Sequence, residues 1–183
     1  MTSRAGIIGH PVAHSLSPVI QTAAFAHAGL DVAYEQWDTP RAQLPARIAS
    51  LRAPDILGAN ITVPHKEAVI PYLDELGGLA ARAGAVNTIV QRDGRLFGFN
   101  TDGAGFVAAL RHEAALEPAG RTFLLLGAGG AARGIALALA EARAAAIHIW
   151  NRTPARAATL ANHLGTPARA LADPPPLTPY DCL

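Results

Sequence analysis

An α/β protein of two domains is the fold class this sequence predicts, and three observations carry that expectation. Short apolar runs closed by glycine or turn residues alternate with stretches of helical spacing, beginning at Ala5–Gly9. Mid-chain, Arg92-Asp93-Gly94-Arg95 carries the Asp-Gly hairpin signal between two alternating runs, so the first sheet contains antiparallel strands. From Thr122 onward the pattern becomes continuous apolar strand, glycine-rich turn, helix and second apolar strand, as in a parallel sheet covered on both faces.

The chain has 183 residues, long for one domain and short for two, and half of them are hydrophobic, enough for a substantial core. Its net charge is +1 and no basic cluster occurs, which argues against nucleic acid or an anionic membrane as partner. Met1–Pro11 lacks the charged and apolar regions of a signal peptide. Arg133, Glu141 and Arg143 interrupt the best membrane-spanning candidate. The single Cys182 excludes an intrachain disulfide framework and fits a reducing cytoplasm. The seven histidines show no metal-ligand spacing; His10 and His14 are four apart, but Pro11 argues against a helical metal pair.

In order, Ala5–Gly9 reads as a buried strand. Ser17-Pro18 opens a helix, a hydroxyl N-cap followed by proline at the first helical position, and the helix closes at Gly29. Ser15 and Ser17 therefore stand at a helix N-terminus, as an anion site or as cap and loop residues. Val32–Trp37 alternates as a second strand, and Arg41–Leu51 has helical spacing. Gly58–Val63 is a third strand, Lys66–Leu73 opens a helix containing Pro71, and Gly77–Gly84 is a short helical piece. Ala85–Gln91 and Leu96–Asn100 flank the hairpin turn, with Asn87 a polar residue inside an apolar strand. Thr101 or Asp102 caps the next helix, Phe106–Ala115, where the helix dipole stabilises a carboxylate. The proline-rich stretch Leu171–Pro179 reads as a loop, and Tyr180–Leu183 as the opening of a further parallel strand.

Lys66 is the only lysine, against fourteen arginines. Arginine cannot release its proton, whereas a partly buried lysine can serve as acid or base. Lys66 lands just past the end of the third strand, and Asn60 and Thr62, two apart, share one face of it. Asp102 also follows a strand end, the place where ligands collect in open α/β sheets, and is the obvious partner for Lys66 if it does more than cap.

Gly127-Ala128-Gly129-Gly130-Ala131-Ala132 is a G-x-G-x-x-A turn between the strand Phe123–Leu126 and the helix Ala131–Ala142, with the strand Ala146–Trp150 beyond. That context is the one the dinucleotide fingerprint demands. Asn151-Arg152-Thr153-Pro154-Ala155-Arg156 follows, with no acid to hold the ribose 2′-hydroxyl of NAD. Arg152 and Arg156 suit a 2′-phosphate, hence NADP, or are solvated charges at a helix start.

Ser15-Leu16-Ser17-Pro18, Asn60–Lys66, Gly84–Thr88, Asn100-Thr101-Asp102, Gly127–Ala131 and Asn151-Arg152-Thr153 together resemble, in order and spacing, the NADP-dependent shikimate dehydrogenase family. The resemblance covers nearly all of the chain. It implies a mixed-sheet substrate domain over residues 1–102 and an incomplete Rossmann-like NADP domain over 103–183. It implies that Ser15 and Ser17 hold the carboxylate of shikimate, that Asn60, Thr62 and Asn87 bond ring substituents, and that Lys66 and Asp102 flank the reacting 3-hydroxyl. Lys66 would be the general acid or base, and Asp102 would orient the hydroxyl. Gly127, Ala128, Gly129, Gly130, Ala131, Asn151, Arg152, Thr153 and Arg156 would hold NADP. The small-molecule substrate would be the partner of a monomer or homodimer.

Gln21 and Thr22 replace a His-Asn pair common in the family, and Gly78 replaces an acid often found twelve residues after the lysine. The chain also stops inside the nucleotide domain, so a fragment of a longer protein is expected. Competing expectations are a shikimate- or nucleotide-binding module without turnover, and an NAD-preferring quinate/shikimate dehydrogenase, which Arg152 disfavours.

Overall fold

The computed structural model describes residues 2–176, 178 and 180–182. The chain divides into two compact units, Met1–Asn100 and Thr101–Leu183. Among the described residues no helix is long and apolar enough to cross a membrane.

The first unit is a six-stranded mixed sheet. Its strands are β1 (Ser3–Gly9), β2 (Val32–Asp38), β3 (Ile56–Ile61), β4 (Glu75–Leu76), β5 (Thr88–Arg92) and β6 (Arg95–Phe99), in the order β2-β1-β3-β5-β6-β4. β1 runs parallel to both β2 and β3, while β5 is antiparallel to β3 and to β6. β1 is flanked by strands on both sides, and its last five residues are buried. One face of the sheet carries Trp37, Ile61, Ile89 and Leu96 into an apolar core that Ile48 and Leu51, from the helical segment after β2, complete. The Asp93-Gly94 turn closes the β5–β6 hairpin with positive φ at both residues, 51° and 75°, the twist a two-residue hairpin needs.

α1 (Ser17–His27) connects β1 to β2, and its C-terminus is closed by Gly29 at φ 68°. Among the described residues of α1 none is buried, and Val19 stands 71% exposed. Ser17 is not the N-cap. The helix already includes it, Leu16 occupies the cap position, and the Ser15 hydroxyl accepts the Ser17 N–H at 3.2 Å instead.

The expected helix over Arg41–Leu51 is split into a 3₁₀ turn, Arg41–Gln43, and α2 (Leu44–Ser50). Pro45, with no N–H to continue the earlier turn, sits in the first turn of α2, where that loss is harmless. The expected helix over Lys66–Leu73 does not form. Val69 N–H donates to His65 O in a single helical turn before the 3₁₀ turn Ile70–Tyr72, and Pro71 again removes a donor. α3 (Gly78–Ala83) ends at Gly84 in the left-handed region. β5 begins at Thr88 and not at Ala85, because Val86 N–H goes to Lys66 O at 2.7 Å and leaves the ladder. Asn87 therefore precedes the strand.

Arg4 and Glu35 make a two-bond ion pair across β1 and β2, with Glu35 also accepting from Trp37 Nε1 at 2.8 Å. The Arg4 hydrogen bond, then the Trp37 hydrogen bond, lowers the Glu35 carboxyl from 4.5 to about 2. Since the folded value lies below the unfolded one, this contribution is complete above pH 4.5 and drains away as the pH falls toward 2. Glu35→Gln is expected to flatten the decline of the urea midpoint between those two pH values. An unchanged decline would place the acid sensitivity elsewhere.

The second unit is a parallel sheet. It comprises α4 (Asp102–His112), β7 (Thr122–Leu126), α5 (Gly130–Glu141), β8 (Ala146–Trp150), α6 (Pro154–Leu164) and β9 (Ala168–Ala170), in strand order β7-β8-β9. α4 ends at His112 and does not reach Ala115, which takes φ 50°. Phe123 pairs with Ile147 of β8 and, across its other edge, with Cys182 in parallel. The chain thus reverses its direction of spread at β7, which makes the end of β7 a topological switch point. α4 and α5 cross closely: a Cβ on Gly103 would lie 2.4 Å from the Gly134 carbonyl oxygen. Leu177, Pro179 and Leu183, which the loop and final-strand expectations include, lie outside the described residues.

Candidate functional site

The register of the first sheet builds a polar strip. Tyr34 pairs with Ala5, and Ala5 pairs with Gly58, so these three share a face with Asn60, two residues beyond Gly58. Ala5 and Gly58 are small enough for the Tyr34 ring to reach across β1. Its hydroxyl donates to Asn60 Oδ1 at 2.6 Å. Burial pushes the Tyr34 phenol up to about 12, so it remains a donor at neutral pH. Asn60 faces Thr88 directly in the β3–β5 ladder, and its Nδ2 donates to Thr88 Oγ1 at 3.5 Å. Thr88 Oγ1 in turn donates to Asn87 Oδ1 at 3.0 Å. Asn60 and Asn87, 27 positions apart in sequence, are thereby joined in one network. Tyr34 and Thr88 were not anticipated. Alternation marks both as strand residues, and only the register shows that they meet the two asparagines.

Ser15 and Thr62 face one cavity. With His10, Val12, His14 and Val63 they line a cavity of about 340 Å³. Thr62 is brought there by its N–H bond to Ile8 O at 2.8 Å, which ties the end of β3 to β1. Ser15 Oγ donates to Ser17 Oγ at 3.1 Å, so the two hydroxyls form a pair at the start of α1. His10 Nδ1 lies 3.1 Å from both oxygens of the exposed Asp38 carboxylate.

Lys66 follows Pro64 in the turn after β3 and is half-buried. Its backbone is fixed on both sides. His65 N–H donates to Thr62 O at 2.9 Å, and Val86 N–H donates to Lys66 O at 2.7 Å. His65 itself is fully buried, and its Nε2 is 2.6 Å from Thr39 O. That bond requires a proton on Nε2, and the buried Nδ1 then has no hydrogen-bond partner among the described residues. Asp102 belongs to the second unit, as the first residue of α4, with Thr101 at the cap position.

In the second unit the Gly127–Ala131 turn links β7 to α5. Gly127 takes φ 130°, a conformation side chains resist, and its N–H donates to Trp150 O at 2.8 Å. Ala128 N–H donates to Asn151 Oδ1 at 3.2 Å, while Asn151 Nδ2 donates to Thr153 O at 2.9 Å. Asn151 thus clasps the glycine turn to the end of β8. Among the described residues no side chain caps the N-terminus of α5. A Cβ on Gly129 would meet nothing within 4 Å, so the protein's own atoms do not demand glycine there. Backbone donors beside open space fit a pyrophosphate. Arg152 and Arg156 are exposed just past β8, with Arg156 N–H bonded to Thr153 O at 3.0 Å. Among the described residues no group of three or more His, Cys, Asp or Glu is arranged to hold a metal ion.

Comparison with known proteins places both halves in one family. Residues 7–89 match the shikimate dehydrogenase substrate binding domain, and residues 110–174 match the shikimate/quinate 5-dehydrogenase domain. The NADP(+) shikimate dehydrogenase of Moorella thermoacetica is 51% identical over 170 residues, 91% of this chain and 57% of the relative. That of Symbiobacterium thermophilum is 52% identical over 173 residues, 92% of this chain and 58% of the relative. The crystal structure of Thermus thermophilus shikimate 5-dehydrogenase in complex with NADP(H) and shikimate superposes with a TM-score of 0.84 at 47% identity, covering 92% of this chain and 62% of that one. A 5-ketofructose reductase from Gluconobacter is also similar, with a TM-score of 0.83 at 37% identity over 95% of this chain and 64% of its own. The chain therefore spans somewhat under three fifths of the length of the curated relatives named here. Two consecutive domain matches from one family, and relatives about half identical over nine tenths of the chain, establish that this protein belongs to the shikimate dehydrogenase family.

Proposed function

We propose that the chain carries the chemistry of an NADP-dependent shikimate dehydrogenase, the reversible interconversion of shikimate and 3-dehydroshikimate. The observation that carries this reading is the cavity lined by both Ser15 and Thr62, 47 positions apart, together with the hydrogen-bonded network that joins Asn60 to Asn87. The Ser17 hydroxyl donates to the substrate carboxylate, and Ser15 turns its proton from Ser17 Oγ to the carboxylate when substrate binds. Thr62, Asn60 and Asn87 bond the ring hydroxyls. In oxidation Lys66, as the free amine, takes the proton of the 3-hydroxyl while the C3 hydride leaves; in reduction it returns that proton. Asp102, proposed as the second catalytic residue, accepts a hydrogen bond from the substrate hydroxyl and orients it. NADP, when bound, supplies the hydride acceptor or donor. The turn Gly127–Ala131 with Asn151 and Thr153 holds the pyrophosphate and ribose, and Arg152 and Arg156 hold the 2′-phosphate. The lone cysteine fits a reaction carried out in a reducing cytoplasm.

Initial rates with shikimate and either NADP⁺ or NAD⁺ test this reading. The protein is expected to prefer NADP⁺. Arg152→Ala is expected to raise the KM for NADP⁺ about tenfold, the value of one charge-assisted hydrogen bond, and to change that for NAD⁺ much less. Equal losses for the two cofactors would remove the 2′-phosphate role, and no shikimate-dependent rate with either would remove the activity.

A further inference from the structure

The two amides assigned to substrate are not independent, and the residue between them has no role in the mechanism above. A side-chain amide can present either its carbonyl or its NH₂ to a ligand, and rotation by a half-turn exchanges the two. Which end faces the ligand is fixed only by what holds the other end. Here hydrogen-bond donation runs in one direction, from Tyr34 to Asn60 Oδ1, from Asn60 Nδ2 to Thr88 Oγ1, and from Thr88 Oγ1 to Asn87 Oδ1. A threonine hydroxyl has one proton. Because Thr88 gives it to Asn87, it can only accept from Asn60. Thr88 therefore orients both amides together.

We propose that Thr88 is a positioning residue that sets the amide orientation of Asn60 and Asn87 together, and through them the affinity of the proposed substrate site. With Oδ1 turned to Thr88, the Nδ2 end of Asn87 is turned away from it. The ladder explains why this position is suited to the task. Thr88 is the first residue of β5 and the direct partner of Asn60, so its β-branched side chain is held in register by the sheet. The inference rests on the proposed shikimate site, and it is testable in the free protein as well as in the complex.

The variants are Thr88→Val, which keeps shape and β-branching but removes the hydroxyl, and Thr88→Ser, which keeps the hydroxyl. In the ligand-free 183-residue protein, the ¹H–¹⁵N side-chain amide signals of Asn60 and Asn87, assigned by their loss on substitution, are expected to shift in Thr88→Val and to stay near their original positions in Thr88→Ser. Calorimetric titration with shikimate is expected to give a dissociation constant about tenfold higher for Thr88→Val, and within about twofold of the parent for Thr88→Ser, the scale of one lost hydrogen bond. Near-ultraviolet circular dichroism confirms that both variants are folded. Unmoved amide signals in Thr88→Val would overturn the proposal whether or not shikimate binds. So would equal affinity of parent and Thr88→Val, or failure of Thr88→Ser to restore binding. If the parent shows no affinity for shikimate while the amide signals respond as expected, the substrate assignment fails and the orienting role of Thr88 stands.

Discussion

Lys66→Ala is expected to lower turnover at least about 100-fold, the low end for loss of a general acid–base group, while shikimate affinity stays close to the parent value. The split follows from what Lys66 is asked to do. Its proposed contribution is made at the moment the 3-hydroxyl loses or gains a proton, and Ser15, Ser17, Thr62 and the two asparagines carry ground-state binding. The removal is local, because the backbone on either side of Lys66 is held by bonds that a side-chain truncation leaves in place, Val86 N–H to Lys66 O and His65 N–H to Thr62 O. Lys66→Arg is expected to fail nearly as badly, since a guanidinium cannot give up its proton at neutral pH. Steady-state rates together with direct shikimate titration check this. Near-parent turnover in Lys66→Ala, or a loss wholly explained by weaker shikimate binding, would remove Lys66 from the chemistry.

Gly58→Ala is expected to be the most damaging single-methyl change in the first unit. Gly58 takes φ 153° inside β3, and a Cβ there would lie 2.1 Å from the Ile89 carbonyl oxygen of the neighbouring strand. Neither contact partner is the end of a flexible side chain, so relief requires the β3–β5 ladder to open where Gly58 pairs with Val90. Backbone strain and overpacking together predict a cost of roughly 3 kcal/mol or more, a fall of at least about 10 °C in the melting temperature of a unit of this size. Gly78→Ala is the control. It makes the same chemical change in α3, where a Cβ would meet nothing within 4 Å, and helix propensity predicts a neutral or slightly stabilising effect. Thermal unfolding of both variants measures the difference; equal melting temperatures would mean that the crowding at Gly58 is relieved without disturbing the sheet.

The parts of the fold written by local rules were legible. β1 and β8 are apolar runs, and the Asp93-Gly94 turn and the Gly127–Ala131 turn follow from glycine and asparagine-like conformational freedom at fixed positions. The parts decided by pairing were not. β9 is Ala168-Arg169-Ala170, with no strand signal of its own, and it exists because it adds in parallel to β8 at Ile147–Ile149. The helix expected after Lys66 gave way to turns because the bond from Val69 to His65 cannot outweigh the donor missing at Pro71. The same division holds for the candidate site. Ser15, Asn60, Thr62, Lys66 and Asn87 were chosen from motif and residue type. Tyr34 reaches Asn60 only because Ala5 and Gly58 fall opposite it in the register, which no window of sequence displays. His65 reads as filler beside the lysine until its buried bond to Thr39 O shows that it anchors the turn.

The most direct measurement is the consumption of NADPH by the 183-residue protein in the presence of 3-dehydroshikimate, followed by absorbance, with shikimate identified chromatographically as the product. The account predicts loss of NADPH that requires 3-dehydroshikimate, yields shikimate in equal amount and disappears in Lys66→Ala. Folded protein that binds both ligands and yet consumes no NADPH would contradict it.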